Sequence, residues 1–240
     1  MDNDNDAVVA AKHALEEKAL CLMPPSALMS CVGTDEDAWA SFASHWDALT
    51  TDRYASARGT CRLRRYGQFS FAADTGETAL LPHIPFVQPD NTNPLYVDVD
   101  RHFDPLTDAF AADPVLRSVL AVLGGMAAAL DDAAMWNAKV HPFRVVASAD
   151  ADGQPTPEGL HRDGVTLVSS LLVGRRNASG GESSVFDLEG RQLLATTLRE
   201  PGTLLLGDDR ITLHGVSPIR PVDPATPAYR DVLVVTFTPA

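Results

Sequence analysis

The sequence predicts a mainly β domain, folded as a sandwich or barrel with supporting helices, on three observations. Short β-prone segments recur after about residue 139. Turn-forming runs rich in Gly, Pro and Asp separate them, as in residues 150–159 and 217–229. Helix-forming sequence lies mostly in residues 8–138, so the helices are expected to cover one face of a β core.

Three helices are expected in the first part of the chain. Residues 7–22 are rich in Ala, Leu and Glu, which favour helix, and two prolines then end it. Residues 36–49 place three aromatic side chains at helical spacing, which predicts an apolar stripe packed into the core. Residues 108–130 also have helical character, and Gly124-Gly125 is expected to interrupt it.

Seven strands are expected in the second part of the chain. They are residues 143–148, 166–173, 183–188, 191–197, 202–207, 211–216 and 231–237. Their short spacing is typical of sandwiches and barrels rather than of parallel β-α-β units. Because the N-terminal part lacks an obvious core of its own, we expect one domain over residues 1–240. Within it, residues 1–7 are expected to be disordered, residues 8–138 to give support, and residues 139–240 to form the core that carries the site.

Charge and cysteine content argue against several classes of protein. The 240-residue chain has a formal net charge of -13, which is poorly suited to nucleic acid or to an anionic membrane surface. No apolar run reaches the length of a membrane span, and the polar start MDNDNDA does not fit a secretory signal. Three scattered cysteines indicate reduced thiols. We therefore expect a cytoplasmic protein with a small-molecule substrate and with no nucleic-acid or membrane partner.

Two histidines and one carboxylate stand out as candidate metal ligands. His161 and Asp163 form an H-x-D pair just before a predicted strand, and residues i and i+2 of an extended segment point to the same face. His214 lies inside the strand predicted over residues 211–216. In a β-barrel or jelly roll a later strand can return beside an earlier one, so His214 can complete the set.

This donor set suits a particular chemistry. Two histidines and one carboxylate on one face of an octahedral metal leave three positions open, as in iron(II) oxygenases that use a 2-oxo acid and O₂. The far carboxylate of such a cosubstrate needs a cation, and Arg grips carboxylates through two parallel hydrogen bonds. Arg230, at the start of the last predicted strand, is the expected anchor. Arg220 is the competing candidate, and a surface ion pair between Arg230 and Asp231 is the structural alternative.

Eight motifs along the chain carry a family resemblance. The C-terminal ones are PTPEGLHRDG (155–164), LVGRRNASGGES (172–183), PGTLLLGDD (201–209), LHGVSPI (213–219) and YRDVLVVTF (229–237). The upstream ones are RRYGQF (64–69), LPHIPFVQPDNTNPLY (81–96) and HPFRV (141–145). They resemble the iron(II)/2-oxoglutarate dioxygenases that include the bacterial free L-isoleucine hydroxylases. The resemblance covers about residues 45–238 and departs from the family at VDVDRHF (97–103), where a Gly-rich turn is expected before the Arg.

The resemblance implies a double-stranded β-helix, or jelly-roll, core with supporting helices. It implies iron(II) bound by His161, Asp163 and His214, and 2-oxoglutarate anchored by Arg230. It further implies O₂-dependent hydroxylation of a free aliphatic L-amino acid with release of succinate and CO₂, and sulfoxidation of a thioether amino acid as a side activity. Related halogenases have a small residue where this chain has Asp163, so the carboxylate favours hydroxylation.

Five residues are candidate substrate contacts. Arg144, on a strand just before the metal pair, is a candidate for the substrate carboxylate, and Glu158 is a candidate for an ammonium group. Tyr66, Gln88 and Asn93 come from motifs that resemble those of the family. The alternative for each is a structural role in packing or at the surface. Three nearby histidines are expected to be hydrogen-bonded structural residues: His83, His102 and His141.

Other functions remain open on the sequence. The same chemistry on a peptide or carrier-bound amino acid would favour an open groove, whereas a closed pocket with paired charges favours a free amino acid. A non-catalytic jelly-roll binding module would bind neither metal nor 2-oxoglutarate. A cupin-type enzyme usually offers an H-x-H and a Glu, and a zinc hydrolase needs a general base beside its ligands. The sequence shows neither of these last two patterns.

Overall fold

The computed structural model describes residues 2–86 and 100–240, which form six α-helices, one 3-10 helix and fourteen strands. The helices are α1 (Asp2–Lys18), α2 (Pro25–Val32), α3 (Glu36–Ser44), α4 (Arg53–Ser56), α5 (Asp108–Ala111) and α6 (Pro114–Leu130), with the 3-10 helix at His45–Ala48. The strands are β1 (Leu20–Met23), β2 (Thr50–Thr51), β3 (Arg62–Arg64), β4 (Gly67–Ala72), β5 (Thr78–Leu80), β6 (Met135–Ala147), β7 (Leu167–Arg176), β8 (Ala178–Gly180), β9 (Glu182–Asp187), β10 (Gln192–Thr197), β11 (Leu204–Asp208), β12 (Thr212–Val216), β13 (Ile219–Pro221) and β14 (Ala228–Pro239). Among the described helices, none is both long and apolar enough to cross a membrane.

Two antiparallel sheets enclose a cavity. The larger sheet has nine strands in the order β1-β11-β7-β14-β6-β3-β2, with β4 paired to β6 and β5 paired to β4. The smaller sheet has the order β10-β9-β12, and β8 pairs with β13 in a separate ribbon. Side chains from both sheets line one cavity of about 190 Å³. The arrangement confirms the expected mainly β, jelly-roll class with supporting helices.

Strand alternation separates the helical side of the large sheet from the cavity side. On β14, Leu233, Val235 and Phe237 belong to the core that the helices α1, α2, α3 and α6 also build. The intervening Val232 and Val234 line the cavity. Successive residues of a strand point to opposite faces, so a central strand contributes side chains both to the helix-covered core and to the cavity wall. The helices therefore fix the sheet from behind and leave its inner face to the site.

Most of the predicted elements are confirmed. Each of the seven expected strands has a counterpart, in β6, β7, β9, β10, β11, β12 or β14. The helix predicted over residues 36–49 is present as α3 and the 3-10 helix. Its three aromatic side chains are buried as expected: Trp39, Phe42 and Trp46.

The first part of the chain differs from its prediction because it also supplies strands to the large sheet. The helix predicted over residues 7–22 ends at Lys18, and residues 20–23 form β1. Ala19 has a φ of 63°, which ends the helix, and β1 then pairs with β11. Helix α1 already begins at Asp2, where disorder is expected from the sequence. The partner of β1 lies far along the chain, so local sequence does not indicate the pairing.

The glycine pair in α6 does not interrupt the helix, and that prediction is wrong. Helix α6 runs without a break over Pro114–Leu130. A Cβ atom at Gly124 would lie 2.5 Å from ring atoms of Phe71, which is itself buried on β4. Gly124 therefore permits a close approach of helix and sheet. At Gly125 the nearest atom to an added Cβ would be Lys12 Nζ, at 3.9 Å.

This contrast predicts opposite effects for two neighbouring substitutions. Gly124→Ala should lower the free energy of unfolding by roughly 1–3 kcal/mol, because the new methyl group must displace the Phe71 ring in a packed core. Gly125→Ala, the control, should raise it by up to about 1 kcal/mol, since Ala is the better helix former and has room. Urea unfolding followed by circular dichroism measures both. Equal effects of the two substitutions would contradict the packing role of Gly124.

Candidate metal centre

Three candidate ligands converge between the two sheets. Ligand atoms of His161, Asp163 and His214 all lie within 4.8 Å of one another. The His161 backbone N–H donates to the His214 carbonyl at 3.0 Å, and the His214 N–H donates to the His161 carbonyl at 2.9 Å. This antiparallel bridge places the two imidazoles side by side, with ring centroids 4.4 Å apart. The H-x-D segment and β12 are therefore joined at the site itself.

Both imidazoles present Nε2 to the Asp163 carboxylate. The distance from Nε2 to a carboxylate oxygen is 3.6 Å for His214 and 3.9 Å for His161. These distances are longer than a hydrogen bond, so the three ligand atoms leave space for one ion between them. Two imidazole nitrogens and one carboxylate are the donor set of the facial iron(II) sites. The residues present therefore fit an iron(II) ion.

The buried carboxylate of Asp209 positions this donor set from behind. His214 Nδ1 lies 3.5 Å from Asp209 Oδ1. Asp209 also accepts hydrogen bonds from the backbone N–H groups of residues 163–165, at 3.2, 2.7 and 3.1 Å. His161 Nδ1 lies 3.0 Å from the Gly159 carbonyl oxygen. His161 is thus hydrogen-bonded at Nδ1 and His214 has Nδ1 beside a carboxylate, which leaves Nε2 of each ring for a metal.

Acidic neighbours determine the charge of this region. Burial alone would lower the pKa of His214, but Asp209, Asp163 and Glu158 raise it above its ordinary value. Burial alone would raise the pKa of Asp209, but His214 and backbone N–H groups hold it below its ordinary value. The surroundings that favour a proton on His214 also attract a divalent cation. Protons and metal therefore compete, and metal binding should weaken as the pH falls.

Arg230 lines the same cavity from β14. Its side chain is 1% exposed. Among residues 2–86 and 100–240, neither its Nε nor its Nη2 has a hydrogen-bond partner. Burial, with Arg175 nearby, lowers the pKa of Arg230 to about 10, so the guanidinium is still charged at neutral pH. A buried cation with unsatisfied donors is costly unless an anion binds it, and the free carboxylate of 2-oxoglutarate is such an anion.

The glycine pair Gly180-Gly181 packs closely against Pro218 and Ile219, beside this arginine. Both residues have positive φ, at 72° and 70°. A Cβ atom at Gly181 would lie 3.1 Å from Arg175 Nη1 and 3.5 Å from Arg230 Cδ. Arg175 in turn donates a hydrogen bond to the Gly180 carbonyl at 2.7 Å. A plain hairpin turn explains these glycines on sequence alone, and the structure adds the close contact of Gly180 with the Pro218 carbonyl and of Gly181 with Ile219.

Two other candidate arginines lie elsewhere. Arg144 faces Asp231 across β6 and β14, and its Nε and Nη2 each donate to that carboxylate at 2.8 Å. Arg144 Nη1 donates to Asp47, and Arg144 is not among the residues that line the cavity. The structure therefore does not place Arg144 where a substrate carboxylate would bind. Arg220 is exposed and pairs with Asp152, which leaves Arg230 as the anchor candidate inside the cavity.

The remaining candidate contacts have different outcomes. Glu158 lines the cavity, and its Oε1 lies 3.5 Å from His161 Nε2. Tyr66 is buried behind the cavity wall, with its ring stacked on His141 at 4.9 Å, and burial raises its pKa. Gln88 and Asn93 lie outside the described residues.

Sequence reasoning missed a second set of cavity residues. Lys139 and His141 of β6 and Arg64 of β3 line the cavity. His141 is hydrogen-bonded to Arg64, as expected of a structural histidine, but its place in the cavity wall was not expected. Arg101, inside the segment that departs from the family pattern, lines it too. The signal that identifies the β6 residues is the alternation of residues 139, 141, 143 and 145. That signal becomes readable only once the register of β6 with β14 is known.

Known proteins are similar to this chain along most of its length. The 2OG-Fe dioxygenase family model matches residues 43–236. The crystal structure of a bsmA homolog from Methylobium petroleophilum PM1 is 35% identical, covers 97% of this chain and 96% of that chain, and has a TM-score of 0.89. No curated protein sequence matches the chain.

Two more distant structures share the fold. IDO from Bacillus thuringiensis is 19% identical with a TM-score of 0.78, and covers 96% of this chain and 95% of that chain. The Fe(II)/(alpha)ketoglutarate-dependent dioxygenase TqaL is 17% identical with a TM-score of 0.79, and covers 99% of this chain and 90% of that chain. Identities this low carry the architecture and not a substrate.

The geometry predicts that two acidic residues control iron(II) affinity. Asp163→Ala removes a ligand and should abolish turnover with a large loss of iron binding. Asp209→Asn leaves the ligands in place but removes the charge behind them, which should weaken binding roughly 10- to 100-fold. The control is Asp152→Asn, since Asp152 is half-exposed and pairs with surface Arg220. Anaerobic iron(II) titrations at pH 6 and about pH 8 measure these effects, with tighter binding expected at the higher pH. Unchanged iron affinity in Asp163→Ala would contradict the metal assignment.

Proposed function

The chain belongs to the 2OG-Fe dioxygenase family, whose members use iron(II), 2-oxoglutarate and O₂, and on that premise we propose that it hydroxylates a free aliphatic L-amino acid. One oxygen atom enters the substrate and the other enters succinate, with release of CO₂. Sulfoxidation of a thioether amino acid is proposed as a side activity. The observation that carries the proposal is one cavity that contains the three candidate ligands and a buried Arg230, whose Nε and Nη2 have no hydrogen-bond partner among the described residues.

Each of these residues has a proposed role. His161, Asp163 and His214 hold iron(II), which supplies activation of O₂ coupled to decarboxylation of the 2-oxo acid. Arg230 binds the far carboxylate of 2-oxoglutarate and so fixes the orientation of the cosubstrate. Apolar side chains of β7, β11 and β14 exclude water from the rest of the cavity. They are Val168, Leu205, Val232 and Val234. The protein thereby aims one substrate C–H bond at the metal.

The charges of the cavity favour a free amino acid over a peptide. Glu158 supplies a negative charge beside His161, and Arg64 is one of several cationic side chains that line the same cavity. A zwitterion matches both signs. In a peptide or carrier-bound amino acid, the ammonium group, the carboxylate or both are converted to an uncharged amide or ester. A cytoplasmic location belongs to the same proposal, and the three free cysteines, Cys21, Cys31 and Cys61, are compatible with it.

Replacement of the proposed anchor should change the requirement for 2-oxoglutarate. Arg230→Gln removes a buried charge-assisted contact and should weaken 2-oxoglutarate binding by roughly 2–5 kcal/mol, while iron(II) binding persists. The control is Arg220→Gln on the surface, which should leave both unchanged. Succinate formation as a function of 2-oxoglutarate concentration measures the effect. An unaltered dependence on 2-oxoglutarate in Arg230→Gln would contradict the anchor assignment.

Turnover with a panel of free amino acids tests the proposed reaction. The iron(II) protein with 2-oxoglutarate is exposed to O₂ in the presence of each amino acid, and products and succinate are followed by mass spectrometry. We expect one oxygen atom added to an aliphatic amino acid and an equal amount of succinate. Succinate without a modified amino acid would point to a peptide or carrier-bound substrate. If the protein binds no iron(II) and forms no succinate, the result would favour a non-catalytic binding module.

A further inference from the structure

Besides Arg230, three buried arginines line the cavity, Arg62, Arg64 and Arg101, and of these Arg64 is well separated from Arg230. Strand β3 pairs with β6, and β6 pairs with β14, so Arg64, Phe143 and Val232 lie in one row across the large sheet. Arg230 is two residues along β14 from that row. With roughly 4.8 Å between strands and about 3.4 Å per residue, the Cα atoms of Arg64 and Arg230 are about 12 Å apart. The two arginines can therefore serve two different anions.

The Arg64 side chain is buried and held by aromatic rings. It is 3% exposed, and its Cζ lies 3.6 Å from the ring centroid of Phe103 and 4.5 Å from that of Phe143. Its Nη2 donates to His141 Nδ1 at 2.6 Å. Within residues 2–86 and 100–240, its Nε has no hydrogen-bond partner. Stacking of this kind fixes the plane of a guanidinium while leaving its edge available to a ligand.

The nearest acid is engaged elsewhere. Asp52 accepts from Arg62 Nε at 2.9 Å and Nη2 at 2.8 Å, and from the backbone N–H groups of Tyr54 and Ala55 at 3.0 Å. Its distance to Arg64 Nη1 is 3.9 Å. Asp52 therefore neutralises Arg62 first, and Arg64 keeps its charge for another anion.

His141 fixes the position of the Arg64 guanidinium. Burial and the surrounding cations, Arg64 first among them, hold the pKa of His141 well below its ordinary value, so the ring is neutral. Because Nδ1 accepts the Arg64 hydrogen bond, the ring proton is on Nε2. The ring is stacked on Tyr66, which fixes its orientation. A charged guanidinium held rigidly in this way suits a carboxylate.

We infer that Arg64, held in place by His141 and Phe103, binds the α-carboxylate of the substrate. This inference rests on the proposed function and deepens it, since it makes a free α-carboxylate a requirement for binding. It also gives Arg64 the role that the sequence suggests for Arg144. His214 belongs to the opposite sheet, so an amino acid anchored on β3 by its carboxylate extends its side chain across the cavity toward the metal ligands.

The test compares amino acids with their carboxamides, which keep shape and lose the negative charge. The probes are L-isoleucine, L-leucine, L-valine and L-methionine with the four matching carboxamides. Binding to the iron(II) protein with 2-oxoglutarate is measured anaerobically by calorimetry. The wild-type protein should bind the acid more tightly than the amide by roughly 10- to 100-fold. Arg64→Gln should lose most of that preference by weakening the acid alone, and Arg64→Lys should retain part of it.

The control is Arg220→Gln, which should keep the wild-type preference for the acid. Thermal unfolding of each variant reports whether it folds. The wild-type comparison of acid with amide tests the inference even if a variant fails to fold. Equal binding of acid and amide by the wild type, with hydroxylation intact, would overturn the inference and leave the proposed function. Equal weakening of acid and amide in Arg64→Gln would overturn it as well. Binding of no amino acid by the wild type would overturn both proposals.

Discussion

The site depends on one pair of backbone hydrogen bonds, the reciprocal N–H to carbonyl contacts between His161 and His214. They join the segment that leads into β7 of the large sheet to β12 of the small sheet, and so fix the spacing of the two sheets where the ligands meet. Asp209 strengthens the same joint, because one buried carboxylate holds the H-x-D backbone and His214 together. The metal centre is thus a property of strand register and not of a flexible loop.

A second constraint acts on the large sheet. Its inner face carries charged side chains that are buried, and burial of a charge destabilises the fold unless the charge is paired. Arg230 and Arg64 are both almost completely buried, and each has at least one guanidinium nitrogen without a partner among the described residues. A chain selected only for stability would fill such positions with apolar side chains. The burial of Arg64 and Arg230 is explained if each binds an anion, one the substrate and the other the cosubstrate. The helices behind the sheet keep that wall rigid, because the alternate residues of the same strands belong to their core.

The strands, and the three residues whose candidate ligand atoms converge, could be predicted from the sequence because both depend on local periodicity. The i, i+2 spacing of His161 and Asp163, and the place of His214 in a strand, are visible without knowledge of the fold. The roles of residues whose orientation depends on pairing between distant strands could not be predicted. Arg144 and His141 lie on the same strand, but their positions have opposite parity, and only the register with β14 shows which one faces the cavity. Strand β1 and the close contact at Gly124 escaped prediction for the same reason, since each depends on a residue far along the chain.

The central claim is that one cavity holds iron(II) and 2-oxoglutarate together through His161, Asp163, His214 and Arg230. Anaerobic addition of iron(II) and then 2-oxoglutarate, followed by visible absorption, tests it directly, because a 2-oxo acid chelated to iron(II) absorbs visible light. The account predicts a band that requires both components and saturates at one iron per chain. A folded protein that binds no iron(II), or that binds it and develops no band with 2-oxoglutarate, would contradict the account.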